Sequence, residues 1–283
     1  MKNFLVMMTL AVSVGALTAC SESPQQSAES PTMTLEQAVN NNPARSADNL
    51  SRDQYRHPIE TLKFFEVEPD MTVVEIWPGG GWYTEILAPY LKEQGKLYAA
   101  HFAKTETRDY YVNSRQQFIE RVNNDPAFSA ITVTEFAPME DNEIAPPGSA
   151  DRVLTFRNLH NWYMNAGMEG VEAAFADFYE ALKPGGILGV VDHRLPENRP
   201  DTHMDSSGYM KQSLAIEAAK AAGFEFVAGS DINANPADTA DHPRGVWTLP
   251  PTLGLGEEDR EMYQGIGESD RFTLKFKKPE SSS

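Results

Sequence analysis

Apolar runs alternate with segments of helical periodicity along most of the chain. Pro58 suits the first turn of a helix, with Ile59, Leu62 and Phe65 on one face and His57 as a cap before it. Val73, Val74 and Ile76 form a short β-branched run that predicts a buried strand. Pro78-Gly79-Gly80-Gly81 follows as a turn, after which Trp82, Ile86, Leu87 and Leu91 recur at helical spacing. That helix is expected to end at Gly95 as its left-handed C′ residue. Lys96 to His101 predicts a second strand, Asp109 to Val122 a helix broken by Asp125-Pro126, and Ile131 to Phe136 a third strand. Arg152 to Phe156 predicts a fourth strand. Gly170 to Leu182 predicts a helix that Lys183-Pro184-Gly185-Gly186 terminates. Ile187 to Asp192 is nearly all apolar and predicts a central fifth strand. A helix over about Tyr209 to Ala222, a sixth strand over Phe224 to Val227 and a seventh over Phe272 to Phe276 complete the series.

Strands alternating with helices imply an α/β fold. The expected architecture is a Rossmann-like, seven-stranded, mostly parallel sheet with helices on both faces and an antiparallel last strand. Ligands in such sheets bind beyond the carboxyl ends of the strands. The unusual polar residues fall there: Glu75, His101, Arg157, Asn158, His160, Asp192 and His193. The start of an antiparallel last strand, Glu268 to Arg271, would share that face, and the insert before it suits a lid. Three consecutive glycines exceed what a plain turn needs, because each costs conformational entropy. Glycine backbone close to a ligand, followed by a helix N-terminus, makes residues 79–81 the first candidate binding loop.

Charge narrows the partners. The formal net charge is −17, with 41 acidic and 24 basic residues, and removal of the leader with its single Lys2 takes it to −18. Such a surface repels nucleic acid and anionic lipid, and suits a small-molecule ligand. Hydrophobic residues make up 41% of the chain, enough for a core.

The only cysteine, Cys20, excludes an internal disulfide. Before it come Lys2, an apolar run from Phe4 to Leu17, and Leu17-Thr18-Ala19. The run is too short to span a bilayer and fits a secretory signal. Small residues ahead of a cysteine resemble the lipobox of bacterial lipoproteins. The resemblance implies cleavage before Cys20, lipidation of that residue and membrane attachment only through the lipid. Ser21 in place of an Asp favours a periplasmic location at the outer membrane. Ser21 to Thr34 is rich in Ser, Pro, Gln and Glu and reads as a disordered tether.

Three further segments carry a second resemblance. These are Glu75-Ile76-Trp77-Pro78-Gly79-Gly80-Gly81, Asp151 through His160-Asn161-Trp162, and Leu182-Lys183-Pro184-Gly185-Gly186-Ile187-Leu188. In order and spacing, with the final strand pair, they resemble the class I SAM-dependent methyltransferases over roughly Arg56 to Lys278. More narrowly, the chain resembles a group of secreted bacterial lipoproteins described as predicted methyltransferases. The resemblance implies S-adenosyl-L-methionine (SAM) as cofactor, bound by Glu75, Trp77, Gly79, Gly80, Gly81, His101 and Asn158. It also implies methyl transfer to a small-molecule or cell-envelope acceptor, with His160, His193 and Asp192 as catalytic candidates. Two positions depart from the pattern. Trp77 replaces the first glycine, and His101 stands where the family carries an acid for the ribose hydroxyls.

The expected organisation is a signal peptide over 1–19, lipidated Cys20 with a tether over 20–45, a methyltransferase-like domain over 46–278 with an insert or lid at 231–269, and a polar tail over 279–283. Two alternatives remain at this level. One is a non-catalytic ligand-binding lipoprotein on a retired methyltransferase fold, with Trp77, Trp82 and Trp162 flanking the cleft. The other, weaker because no His-x-x-x-His spacing exists, is a metal-assisted hydrolase using His101, His160, His193 and Asp192.

Overall fold

The chain begins its packed portion with four short helices, α1 (Leu35–Asn40), α2 (Ala47–Leu50), α3 (Asp53–Arg56) and α4 (Pro58–Phe64). The structure is a computed structural model that describes residues 1, 2, 5 and 33–280. The lipidation site Cys20 and nearly all of the leader and tether expected before residue 33 lie outside the described residues, as do 281–283. Everything below belongs to one compact unit, Thr32–Ser283.

The segment 35–45, expected as tether, is part of the domain. Thr34 and Gln37 form a reciprocal capping box that starts α1, and Leu35, Ala38 and Val39 are buried. Asn42 donates to the Glu85 carbonyl at 2.6 Å, and Arg45 donates to the Val39 carbonyl and pairs with Asp53. Three apolar residues among polar ones make only a weak helical pattern, yet they suffice to bury one face of a capped turn.

The alternating part runs β1 (Thr72–Ile76), α5 (Thr84–Leu91), β2 (Lys96–Phe102), α6 (Asp109–Asn124), β3 (Ile131–Phe136), β4 (Ala150–Phe156), α7 (Leu159–Ala181) and β5 (Leu182–Leu195). It continues through α8 (Met204–Ser207), β6 (Met210–Lys211), α9 (Gln212–Ala221), β7 (Glu225–Ser230), α10 (Arg260–Ile266) and β8 (Arg271–Lys277). The sheet order is β3-β2-β1-β4-β5-β8-β7, with the two-residue β6 paired to β5. β3, β2, β1, β4 and β5 pair in parallel, and β8 pairs antiparallel with both β5 and β7. The expected mostly parallel sheet with an antiparallel last strand is therefore present, with β6 as one short strand more than expected.

Successive side chains of β1 face opposite layers. Val74 and Ile76 pack with Phe175 and Phe178 of α7 and Ala215 and Ala218 of α9. Val73 packs with Leu62 of α4 and with Ile86 and Leu87 of α5. Arg152, next to β1 in the sheet, donates to the Phe65 and Glu66 carbonyls and so caps the end of α4. The strand order reverses between β1 and β4, so the topological switch point lies at the carboxyl end of β1.

Three boundaries differ from expectation. Gly95 has no left-handed backbone; α5 stops at Leu91, and a Cβ at 95 would sit 2.6 Å from the Met71 carbonyl oxygen. The expected turn at 183–186 is absorbed into β5, with Gly185 at φ +79° and a register shift opposite Ala150. α7 starts at Leu159 rather than Gly170, with a break at Ala166 and Gly167. The polar-aromatic stretch after β4 is thus a helix N-terminus. Among the described residues, no helix is long and apolar enough to cross a membrane.

Candidate functional site

The loop after β1 has a regular backbone signature. Trp77, Gly79 and Gly81 have φ of +45°, +57° and +82°, so every second residue is left-handed. Glycine adopts this region freely, whereas an L side chain pays ~1–2 kcal/mol. Trp77 is held there by its surroundings. Its backbone N–H donates to the Ala100 carbonyl at 2.8 Å, and its indole N–H donates to the Phe136 carbonyl at 2.8 Å. Its ring packs against Phe102, Tyr111, Phe136 and Trp162. A Cβ built on Gly79 or Gly80 would meet nothing within 4 Å, so the loop backbone stands open.

What it opens on is a cavity of about 550 Å³ at the carboxyl edge of the sheet, a size common for small-molecule sites. Glu75 and the glycine loop line it together with Arg52, Arg56 and Arg157, and Trp247 of the insert is part of the wall. The insert is anchored to the start of β8. Asn235 bonds Asp270 and the Glu268 carbonyl, and Asp238 accepts from the Asp270 N–H and from Tyr209. A second cavity of about 360 Å³ shares Trp77 and Phe102 with the first and carries Glu106.

Glu75 is 2% exposed and accepts from the Thr84 hydroxyl at 2.6 Å. Burial raises its pKa to about 7, opposed by the hydrogen bonds from Thr84. Asn158 lines the cavity and donates to the Ile76 carbonyl and the Thr155 hydroxyl, which ties the ends of β1 and β4 together.

His101 is not in the cavity wall, contrary to the expected ribose contact. It is fully buried, and its Nδ1 accepts from the Phe102 N–H at 2.9 Å. Nε2 therefore carries the proton and donates to the Gly79 carbonyl at 3.2 Å. Burial lowers its pKa to about 4, so the ring is neutral and braces the glycine loop from beneath.

His160, Asp192 and His193 come together as expected, but Asp192 does not reach the cavity. It is fully buried behind the two imidazoles. Its Oδ1 accepts from His160 Nδ1 at 2.8 Å and from the His193 N–H at 2.7 Å, and its Oδ2 accepts from the His160 N–H at 3.1 Å. Asp192 thus contacts both histidines from outside the cavity lining. A carboxylate only accepts, so His160 Nδ1 carries a proton and donates it to Asp192. One atom from each of the three residues lies within 4.8 Å of the others, a spacing open to a metal ion. However, N–H donors already engage both carboxylate oxygens. His193 pairs with the Ser269 hydroxyl at 2.5 Å. Burial, then His160, Arg271, Arg157 and Arg56, hold its pKa well below the usual histidine value.

Four arginines surround one carboxylate of the cavity wall. Glu268 accepts from Arg52 at 2.6 Å, Arg56 at 3.1 Å and Arg271 at 3.0 Å. Burial alone would raise Glu268, but Arg56, Arg271, Arg157 and Arg52 outweigh it and hold the acid at about 2. Burial lowers the Arg157 pKa to about 10, with Glu268 opposing. The sequence pattern placed Arg157 and Glu268 on this edge but not Arg52 and Arg56. Their signal was an i, i+4 pair of arginines on one face of an otherwise polar helical segment. Of the three tryptophans expected at the cleft, Trp77 and Trp82 line this cavity. Trp162 is buried in the core beside the smaller one.

No protein-family model matches the sequence, and no curated protein matches it. Solved structures do match. A SAM-dependent methyltransferase from Aquifex aeolicus is 14% identical, with 81% of this chain and 93% of that chain covered at a TM-score of 0.51. The geranyl diphosphate C-methyltransferase of Streptomyces coelicolor is 11% identical, covering 85% and 87% at 0.53. The cyclase SpnF is 14% identical, covering 85% of each chain at 0.56. By strand order and by these likenesses, the chain has the fold of the class I SAM-dependent methyltransferases.

Proposed function

We propose that the protein is a SAM-dependent methyltransferase acting on a small molecule or cell-envelope component, exported as a lipoprotein attached to the periplasmic side of the outer membrane. The observation that carries the reading is the open left-handed glycine loop beside a buried carboxyl at the topological switch point. The Streptomyces structure contains S-adenosylhomocysteine, which supports the same donor chemistry here.

The residues fit the amino-acid end of the donor. Glu75 would hold its ammonium group, and the Gly79–Gly81 backbone would lie against it where no side chain intervenes. When bound, SAM supplies a methyl group on a sulfonium centre. The chain's own part is to orient the acceptor and to take a proton from it. His160 is suited to accept that proton. Asp192 fixes its ring through Nδ1, and the side chain is in the cavity wall. Trp247, Pro250 and Pro251 of the insert line the same cavity.

One observation favours a second reading, a non-catalytic ligand-binding lipoprotein. Trp77 stands between the two cavities, and no acid ends β2 to take ribose hydroxyls. Calorimetric titration of SAM and S-adenosylhomocysteine into the mature chain carrying Cys20→Ser separates the two. Micromolar binding, lost in Glu75→Ala and in Gly80→Val, is the expected result. Gly80 has open space around its Cβ position, so Gly80→Val retains its melting temperature and blocks only the cavity. Absence of binding at millimolar ligand would overturn the donor assignment and leave the second reading.

A further inference from the structure

The chain carries 41 acidic residues, yet it places one carboxylate among four arginines at a cavity of about 550 Å³. Glu268 contacts Arg52, Arg56 and Arg271. Arg157 forms no ion pair among the described residues. The other nearby acids are committed elsewhere: Asp53 to Arg45, Asp192 to His160, and Glu75 to Thr84. Arg56 is the most telling member. It is 1% exposed, and only its Nε bonds Glu268. Both Nη atoms are buried with no hydrogen-bond partner. The guanidinium lies over the Trp82 ring, 4.7 Å from the centroid, which fixes its plane. A buried cation with free donors is costly unless something pairs with it.

We propose that this arginine-lined part of the cavity is a subsite for an oxyanion on the protein's ligand, a carboxylate or a phosphate, held by Arg56, Arg157 and Arg52. The planar guanidinium fork matches both groups bidentately. Arg271, fully engaged behind Glu268, adds field but is not in the cavity wall. The subsite is built from residues around α3 and just beyond β4, not from the glycine loop itself, and stands as an anion site whether or not a methyl donor binds. As the acceptor's chemical class it rests on the methyltransferase reading: an anionic acceptor would have its far end on the arginines and its middle beside His160 and His193.

The test uses the mature chain with Cys20→Ser, titrated with sodium phosphate and separately with benzoate, in sodium chloride at constant ionic strength. The readouts are melting temperature and calorimetric affinity. The expected result is saturable stabilisation by one of the two anions and none by chloride; the anion that saturates identifies the group. Arg157→Gln, half-buried and so tolerant of change, weakens that affinity about tenfold, the loss expected for a charge-assisted hydrogen bond. Glu268→Gln strengthens it, because the competing carboxylate charge is gone, a gain no purely structural role predicts. Arg199→Gln, on an exposed pair with Asp241, leaves it unchanged. The proposal is overturned if neither anion saturates, or if folded Arg157→Gln binds like the parent. S-adenosylhomocysteine titrated into the same proteins separates the two ideas. Anion binding without it removes the donor reading and keeps the subsite, and the reverse removes the subsite alone.

Discussion

Glu75 is a buried carboxyl with no cation beside it, and its titration is a direct probe of what the glycine loop binds. Burial raises its pKa from 4.5 to about 7. In the free protein this favours the fold fully below pH 4.5, and that contribution is lost as pH rises through about 7. An ammonium group placed against Glu75 reverses the preference, because it needs the ionised form. S-adenosylhomocysteine is therefore expected to bind with constant affinity just above pH 7. Below that its affinity falls by about tenfold per pH unit, the linkage for one proton released on binding. Calorimetry from pH 5.5 to 7.5 checks this. Glu75→Gln should flatten the profile, and a flat profile in the parent protein would place the ammonium elsewhere. At the same scale His101 shows why a residue type does not give a role. Its position after β2 suggested a ligand contact, but the Phe102 N–H and the Gly79 carbonyl use both ring nitrogens.

At the scale of elements, close packing fixes where helices meet the sheet. Gly189 in β5 faces α4, and a Cβ there would sit 2.7 Å from the Phe65 ring and 2.8 Å from Leu154. Both neighbours are fully buried and cannot swing aside. Gly189→Ala is expected to lower the unfolding free energy by ~1–3 kcal/mol, the usual cost of overpacking, despite its gain in chain stiffness. Urea denaturation measures it, and a stabilised variant would refute the close approach. Three of the parallel strands, β1, β2 and β5, were legible in the sequence because each is largely buried on both faces and reads as a mostly apolar run: Val73 to Ile76, Leu97 to Ala100 and Ile187 to Val191. The elements that were not legible draw their stability from contacts distant in sequence. α1 is held by a capping box and by α5, and the start of α7 is polar because it faces the cavity. The site was legible in halves. The glycine loop and the polar strand ends announced themselves, while Arg52 and Arg56 sit on short helices whose place above the cavity only the fold reveals.

Across the whole molecule, charge is segregated. A net −17 protein gathers four arginines around one carboxylate beside a cavity of about 550 Å³, while its buried acids and bases nearly balance, so the acidic excess lies on the outer surface. Such a surface is repelled by anionic headgroups, and none of the described helices is built to span a bilayer. The lipid proposed on Cys20 would attach the protein without either contact. Expressed in a Gram-negative host fed labelled palmitate, the parent chain should take up label and sediment with the membranes. High salt should not release it, because no electrostatic contact holds it there. Cys20→Ser should lose the label and remain unprocessed, because lipoprotein processing requires the modified cysteine. The decisive pair is the parent against a chain whose leader is exchanged for an ordinary cleavable signal and whose Cys20 is Ser. That protein should appear in the soluble periplasmic fraction with the same melting temperature, since the packed unit begins after the tether. Retention of this soluble-signal variant on washed membranes would show a second attachment, and would mean that the acidic surface does not govern where the protein resides.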